Sequence, residues 1–127
     1  MKVISTDKAP AAIGPYVQAL DLGNLILLSG QIPLNAAGEM AVGIVNQTRQ
    51  ALENVKAILL EGNLAVSNIV KTTVVVSDLN DVAAVNAEYE KFFTENSHPF
   101  FPVRSCVEVA RLPRDVGIEI EVMAVRP

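Results

Sequence analysis

The chain has 127 residues, half of them hydrophobic and only 19% charged, with a mean hydropathy of +0.34. One core is feasible at this length, but a lone copy would leave apolar side chains in water, so a homo-oligomer is expected. Ten Lys and Arg against 14 Asp and Glu give a net charge of −4, the wrong sign for tracking phosphates, and no Trp with only two Tyr and four Phe leaves few rings for stacking bases, so no nucleic-acid partner is expected.

Seven Gly and seven Pro are scattered singly, with no charge run or repeat, which reads as one domain over residues 1–127. Short apolar stretches at Val3 to Ser5, Tyr16 to Leu20 and Leu25 to Ser29 are bounded by Pro10, Gly14-Pro15, Gly23-Asn24 and Gly30, and read as strands with a hairpin turn at Asp21 to Asn24. From Ile44 the period changes: Ile44, Thr48, Ala51, Leu52, Val55, Ile58 and Leu59 form one helical stripe that stops at Gly62-Asn63. Ile69 to Val76 is β-branched and almost wholly apolar, which predicts a strand covered on both faces. Ser77 or Asp78 caps a second helix carrying Val82, Val85, Tyr89 and Phe92. The prolines of Asn96 to Pro102 end it in a stiff connection. Two more strands, Val103 to Ala110 and Gly117 to Val125, flank the turn Arg111 to Asp115. The order β-β-β-α-β-α-β-β predicts an α+β layer with both helices on one face of the sheet.

Strand alternation places Arg104, Cys106 and Glu108 on one side of their strand and Val103, Ser105 and Val107 on the other. In the last strand Ile118, Ile120, Val122 and Ala124 take the core side, leaving Glu119, Glu121 and Met123 opposite. On this reading a cation and carboxylates project from the same two-strand surface. Such a surface is either a solvated face laced with weak ion pairs or, if a neighbouring subunit covers it, a place where Arg104 becomes a fork for a small carboxylate and Glu119 a base.

One Cys and one His preclude an intrachain disulfide and any zinc site needing two imidazoles from one chain. No metal is expected. Cys106 has no His at a recognisable spacing and reads as a cleft wall, and His98 before Pro99 reads as a surface-loop residue. The amino terminus turns polar after two apolar residues and no apolar run approaches the ~18 residues of a membrane span, so the cytoplasm is the expected location and no membrane partner is expected.

Several ordered motifs carry a resemblance. They are Ala12-Ile13-Gly14-Pro15-Tyr16 with Val17-Gln18, Ser29-Gly30-Gln31-Ile32-Pro33, Leu52-Glu53-Asn54-Val55, Asn86-Ala87-Glu88-Tyr89-Glu90, Arg104-Ser105-Cys106-Val107-Glu108-Val109-Ala110-Arg111-Leu112-Pro113 and Ile118-Glu119-Ile120-Glu121. Over nearly its whole length the chain resembles the reactive intermediate deaminase family, RidA type (YjgF-like). The resemblance implies a chorismate-mutase-like subunit, with a six-stranded mostly antiparallel sheet and two helices on one face. It also implies a homotrimer whose sheets face the threefold axis, with clefts between neighbouring chains.

The implied activity needs no cofactor. It is hydrolysis of enamines and imines such as 2-aminoacrylate or 2-aminocrotonate to 2-ketoacids and ammonia. By the same resemblance Arg104 holds the substrate carboxylate, Glu119 moves protons for an attacking water, and Tyr16, Ser29, Gly30, Asn86 and Cys106 line the ligand. Without it, Tyr16 reads rather as a half-buried packing ring, Ser29 as a strand end and Asn86 as a cap or solvent residue. Two other functions stay open: a regulator that binds a 2-ketoacid or amino acid without turnover, and, third, an endoribonuclease or translation inhibitor.

Overall fold

The computed structural model describes residues 1–127. Six strands and two helices form: β1 (Lys2–Ile4), β2 (Ala19–Asp21), β3 (Leu25–Leu28), α1 (Ile44–Glu61), β4 (Ile69–Val76), α2 (Val82–Glu95), β5 (Val103–Glu108) and β6 (Ile118–Val125). The sheet order is β1-β2-β3-β6-β4-β5, antiparallel throughout except for the parallel pair of β4 and β5. A parallel pair needs a crossover, and α2 supplies it.

The expected element order is met. The hairpin turn closes where Gly23 takes φ 104 and Asp21 Oδ1 accepts its N–H at 2.9 Å. The strand before it starts only at Ala19, because the chain bends at Gly14-Pro15 and again at Gln18 and stays outside the ladder between them. Asp78, not Ser77, caps the second helical stretch: its carboxylate accepts from Asn80 N at 2.9 Å and opens a single 3-10 turn over Leu79–Asp81 ahead of α2.

Both helices pack on one face. Leu52, Val55, Ile58 and Leu59 of α1 and Val85, Phe92 and Phe93 of α2 are fully enclosed against Ile26, Val74, Val76, Ile118 and Ile120. Each such side chain contributes about 1.5–3 kcal/mol relative to exposure. Arg49 joins the helices from the polar side, donating to Glu88 at 2.6 Å and to Glu95 at 2.9 Å.

Buried polar residues pin the loops beneath the site. Asn54 Nδ2 donates to the Ile32 and Leu34 carbonyls at 3.1 and 2.8 Å, Gln18 bonds Thr6 and Pro10, and Gln31 exchanges backbone bonds with Ile120. Much of the motif pattern Val17-Gln18, Gln31 and Asn54 is therefore scaffold, since a buried amide needs these partners.

Within one chain Ile69 to Val76 is covered on one face only. Thr72, Val74 and Val76 are buried beneath the helices, whereas Lys71, Thr73 and Val75 lie on the other face, which nothing in the chain covers. Val103 and Val107 share that open face and are 68% and 46% exposed. No helix is long and apolar enough to cross a membrane.

Candidate active site

Arg104 leaves the edge strand β5 on the helix side, because its register partner on β4 is the buried Thr72. Its Nη1 donates to Asn86 Oδ1 of α2 at 2.8 Å, and its Cζ stands 5.0 Å above the Tyr89 ring. The Tyr89 hydroxyl and Thr72 Oγ1 share a buried hydrogen bond of 2.7 Å. Burial pushes the Tyr89 phenol above its ordinary range, against the lowering effects of Thr72 and Arg104, so the ring stays neutral. Cys106, half-buried, packs against the core on the same side.

Arg49, Arg111 and Arg126 are each paired with carboxylates. Arg104 has none within salt-bridge distance, so most of its N–H groups face outward unspent.

A second cluster forms on the opposite side of the sheet. Glu119 of β6 borders a hollow of about 280 Å³ with Ile13, Tyr16, Ser29, Gly30, Ile32 and Pro113. Its half-buried carboxylate is held above the usual glutamate range, first by loss of water and second by the neighbouring Glu121 charge. Gly30 makes room for it: a Cβ there would stand 2.8 Å from Glu119 Cδ. The Ser29 hydroxyl donates to the Val17 carbonyl at 2.6 Å, which ties the strand end and leaves its oxygen as an acceptor. The Tyr16 hydroxyl accepts from Ile13 N at 3.2 Å and caps the rim.

The sequence-predicted residues thus fall into two groups. Arg104, Asn86 and Cys106 stand on the helix side at β5, and Tyr16, Ser29, Gly30 and Glu119 stand together around the open end of β6. The reading that placed Arg104 and Glu119 on one two-strand surface is corrected. The strand β4 lies between β5 and β6, and Glu119 alternates with the buried Ile118 and Ile120 whereas Arg104 pairs with buried Thr72. Each strand's alternation is as expected, but β5 turns its valines outward and its polar set toward the helices. One chain therefore cannot bring the guanidinium and the carboxylate into one pocket.

Tyr89 and Thr72 were absent from the expected site. Tyr89 reads as part of an apolar helical stripe, although its i, i+3 spacing from Asn86 puts both on one face of α2 and was the available signal. His98 is more than a surface-loop residue: Nε2 bonds the Ile69 carbonyl at 2.7 Å, and Nδ1 accepts from Phe101 N at 3.0 Å, which anchors the approach to β5. The largest hollow, about 710 Å³, lies along β1 and the end of α1 and contains none of these residues. Its Arg126 is spent on Asp21 and on the Gly23 and Gly62 carbonyls. No group of three or more His, Cys, Asp or Glu side chains is placed to hold a metal ion.

A family model described as endoribonuclease L-PSP matches residues 6–126. A RutC family protein of Pasteurella multocida is 71% identical over 126 residues, covering 98% of each chain. A protein of Escherichia coli K12 named 2-iminobutanoate/2-iminopropanoate deaminase is 63% identical over 126 residues, again covering 98% of both. The crystal structure of E. coli TdcF with bound serine superposes with a TM-score of 0.98 at 51% identity and covers all of both chains.

Proposed function

Because the chain belongs to the endoribonuclease L-PSP family, the YjgF/RidA group, we propose that it is an imine deaminase working in clefts between the copies of a homotrimer. It hydrolyses enamine and imine intermediates such as 2-aminoacrylate and 2-aminocrotonate to 2-ketoacids and ammonia. The name of the relative at 63% identity supports the reaction class, and serine bound to TdcF supports a small amino-acid-like ligand.

The observation that carries the reading is the division of the site. An unpaired guanidinium and a proton-avid carboxylate stand on opposite faces of one sheet. A second copy seated on the open face brings the Glu119 of one chain to the Arg104 of another and covers Val103 and Val107 as it does so.

In such a cleft Arg104 grips the substrate carboxylate through two parallel N–H···O bonds, while Asn86 keeps one of its other N–H groups. The enamine takes a proton from water on its β-carbon while its nitrogen gives one up, and becomes the imine. Water then adds to the C=N carbon, giving a proton to Glu119 of the neighbouring copy as the C–O bond forms. The same carboxyl returns the proton to nitrogen, giving the carbinolamine; it then takes the hydroxyl proton and passes it to the amine, so that the C–N bond breaks as C=O forms and ammonia leaves. A glutamate with raised proton affinity suits both halves of this exchange near neutral pH. Tyr16 and the Ser29 oxygen offer hydrogen bonds to substrate or water, Gly30 a close backbone approach, and Cys106 a wall.

The test couples a serine or threonine dehydratase to the purified protein and follows ketoacid appearance. Acceleration is expected, and it collapses in Arg104→Ala while sedimentation still reports a trimer. Normal turnover by Arg104→Ala overturns the clamp, and ligand uptake without acceleration favours a binding regulator. The family description also names RNA cleavage. A net charge of −4 opposes a phosphate-tracking surface, and RNA cleavage that follows Glu119→Ala would support that description instead.

A further inference from the structure

Arg104 rests on a residue that no motif assigned to the site. An exposed arginine on an edge strand samples many rotamers, and ordering it when a ligand arrives costs affinity. Asn86 alone leaves the guanidinium free to pivot about Nη1. The Tyr89 face, 5.0 Å from Cζ, blocks that pivot and attracts the cation.

The ring is itself held at both ends. Its hydroxyl is tied to Thr72 at 2.7 Å, and Phe93 lies 4.6 Å away, centroid to centroid. Thr72 is also the strand partner of Arg104, so Thr72, Tyr89 and Arg104 close a loop through side chains and the β4–β5 ladder. Asn86 and Tyr89 occupy one face of α2, which Arg49 locks to α1 through Glu88.

We propose that Tyr89 is a positioning residue: its ring, oriented by Thr72, fixes the plane of the Arg104 guanidinium so that the free N–H edge is aimed before substrate arrives. The inference rests on Arg104 being the carboxylate clamp. A neutral ring does here what an acidic partner could not. It draws the cation close without occupying the N–H groups that a substrate carboxylate needs.

The experiment titrates 2-oxobutanoate and its uncharged amide onto the assembled full-length protein. In Tyr89→Leu the Kd for 2-oxobutanoate rises about tenfold while that for the amide holds, the magnitude of a partly desolvated cation–ring contact. Tyr89→Phe loses the Thr72 bond but keeps the ring face and its packing on Phe93, and stays within about threefold of wild type. Equal weakening of both probes, or Tyr89→Phe as damaging as Tyr89→Leu, overturns the proposal.

If Tyr89→Leu does not fold, phenylalanines of increasing fluorination at position 89 keep the size and drain charge from the ring face. Stepwise weakening supports the platform and a flat response overturns it. Adding Tyr89→Leu to Arg104→Ala changes nothing further if Tyr89 acts through Arg104, whereas an additive loss refutes this. Arg104→Ala alone separates the two failures. Unchanged 2-oxobutanoate binding in that variant removes the clamp and the platform together, and a loss there without one in Tyr89→Leu removes the platform only.

Discussion

Gly30 and Glu119 are in contact so close that a methyl group on Gly30 would stand 2.8 Å from the carboxyl carbon of Glu119. Neither the Ser29-Gly30-Gln31 turn nor the Ile118-Glu119-Ile120 strand shows this alone. The backbone bridge between Gln31 and Ile120, with bonds of 2.8 and 3.0 Å, brings them together.

Gly30→Ala therefore moves the carboxylate without removing it. Turnover in the dehydratase-coupled assay is expected to fall about 100-fold, because a misplacement near 1 Å is enough to cost that much. Binding of 2-oxobutanoate, held by Arg104, changes little. An active Gly30→Ala protein would show that the placement of Glu119 is immaterial.

Arg104→Ala and Glu119→Ala chains, each inactive alone, are expected to regain activity when unfolded and refolded together. A mixed interface pairs the intact Arg104 of one chain with the intact Glu119 of the other. Opposite faces of one sheet forbid that restoration within a single copy. Recovery of part of the wild-type rate, with mixed trimers seen by native mass spectrometry, is the expected result, and no recovery argues against a shared cleft.

The pH dependence follows from Glu119. Lost hydration, and then Glu121, raise its proton affinity in the folded chain. The acid limb of kcat/KM is expected above the ordinary glutamate range, and Glu121→Gln moves it to lower pH by removing one of the two causes.

Stability carries the same signature with a defined sign. A carboxyl whose folded value is raised stabilises the fold at pH below its unfolded value, and that contribution is lost as pH rises through the folded value. Glu119→Gln, which never ionises, should match wild type in acid and exceed it in melting temperature above the raised value. Equal pH profiles of melting for the two proteins would contradict this.

Local patterning alone determined the two helices and the number and order of the strands, and the resemblance to a known family supplied the candidate site residues. Alternation and helical period are properties of a few neighbouring residues. Ile44 to Glu61 and Ile69 to Val76 were legible for that reason, and so was the outward face of Glu119. Alternation says that Arg104 and Val103 point oppositely, but it does not say which of them meets the helices. The β4–α2–β5 crossover settled that nonlocally: it placed β4 between β5 and β6, turned Arg104 toward Tyr89 and Val103 toward the open face, and so set the guanidinium and the carboxylate on opposite sides of one sheet.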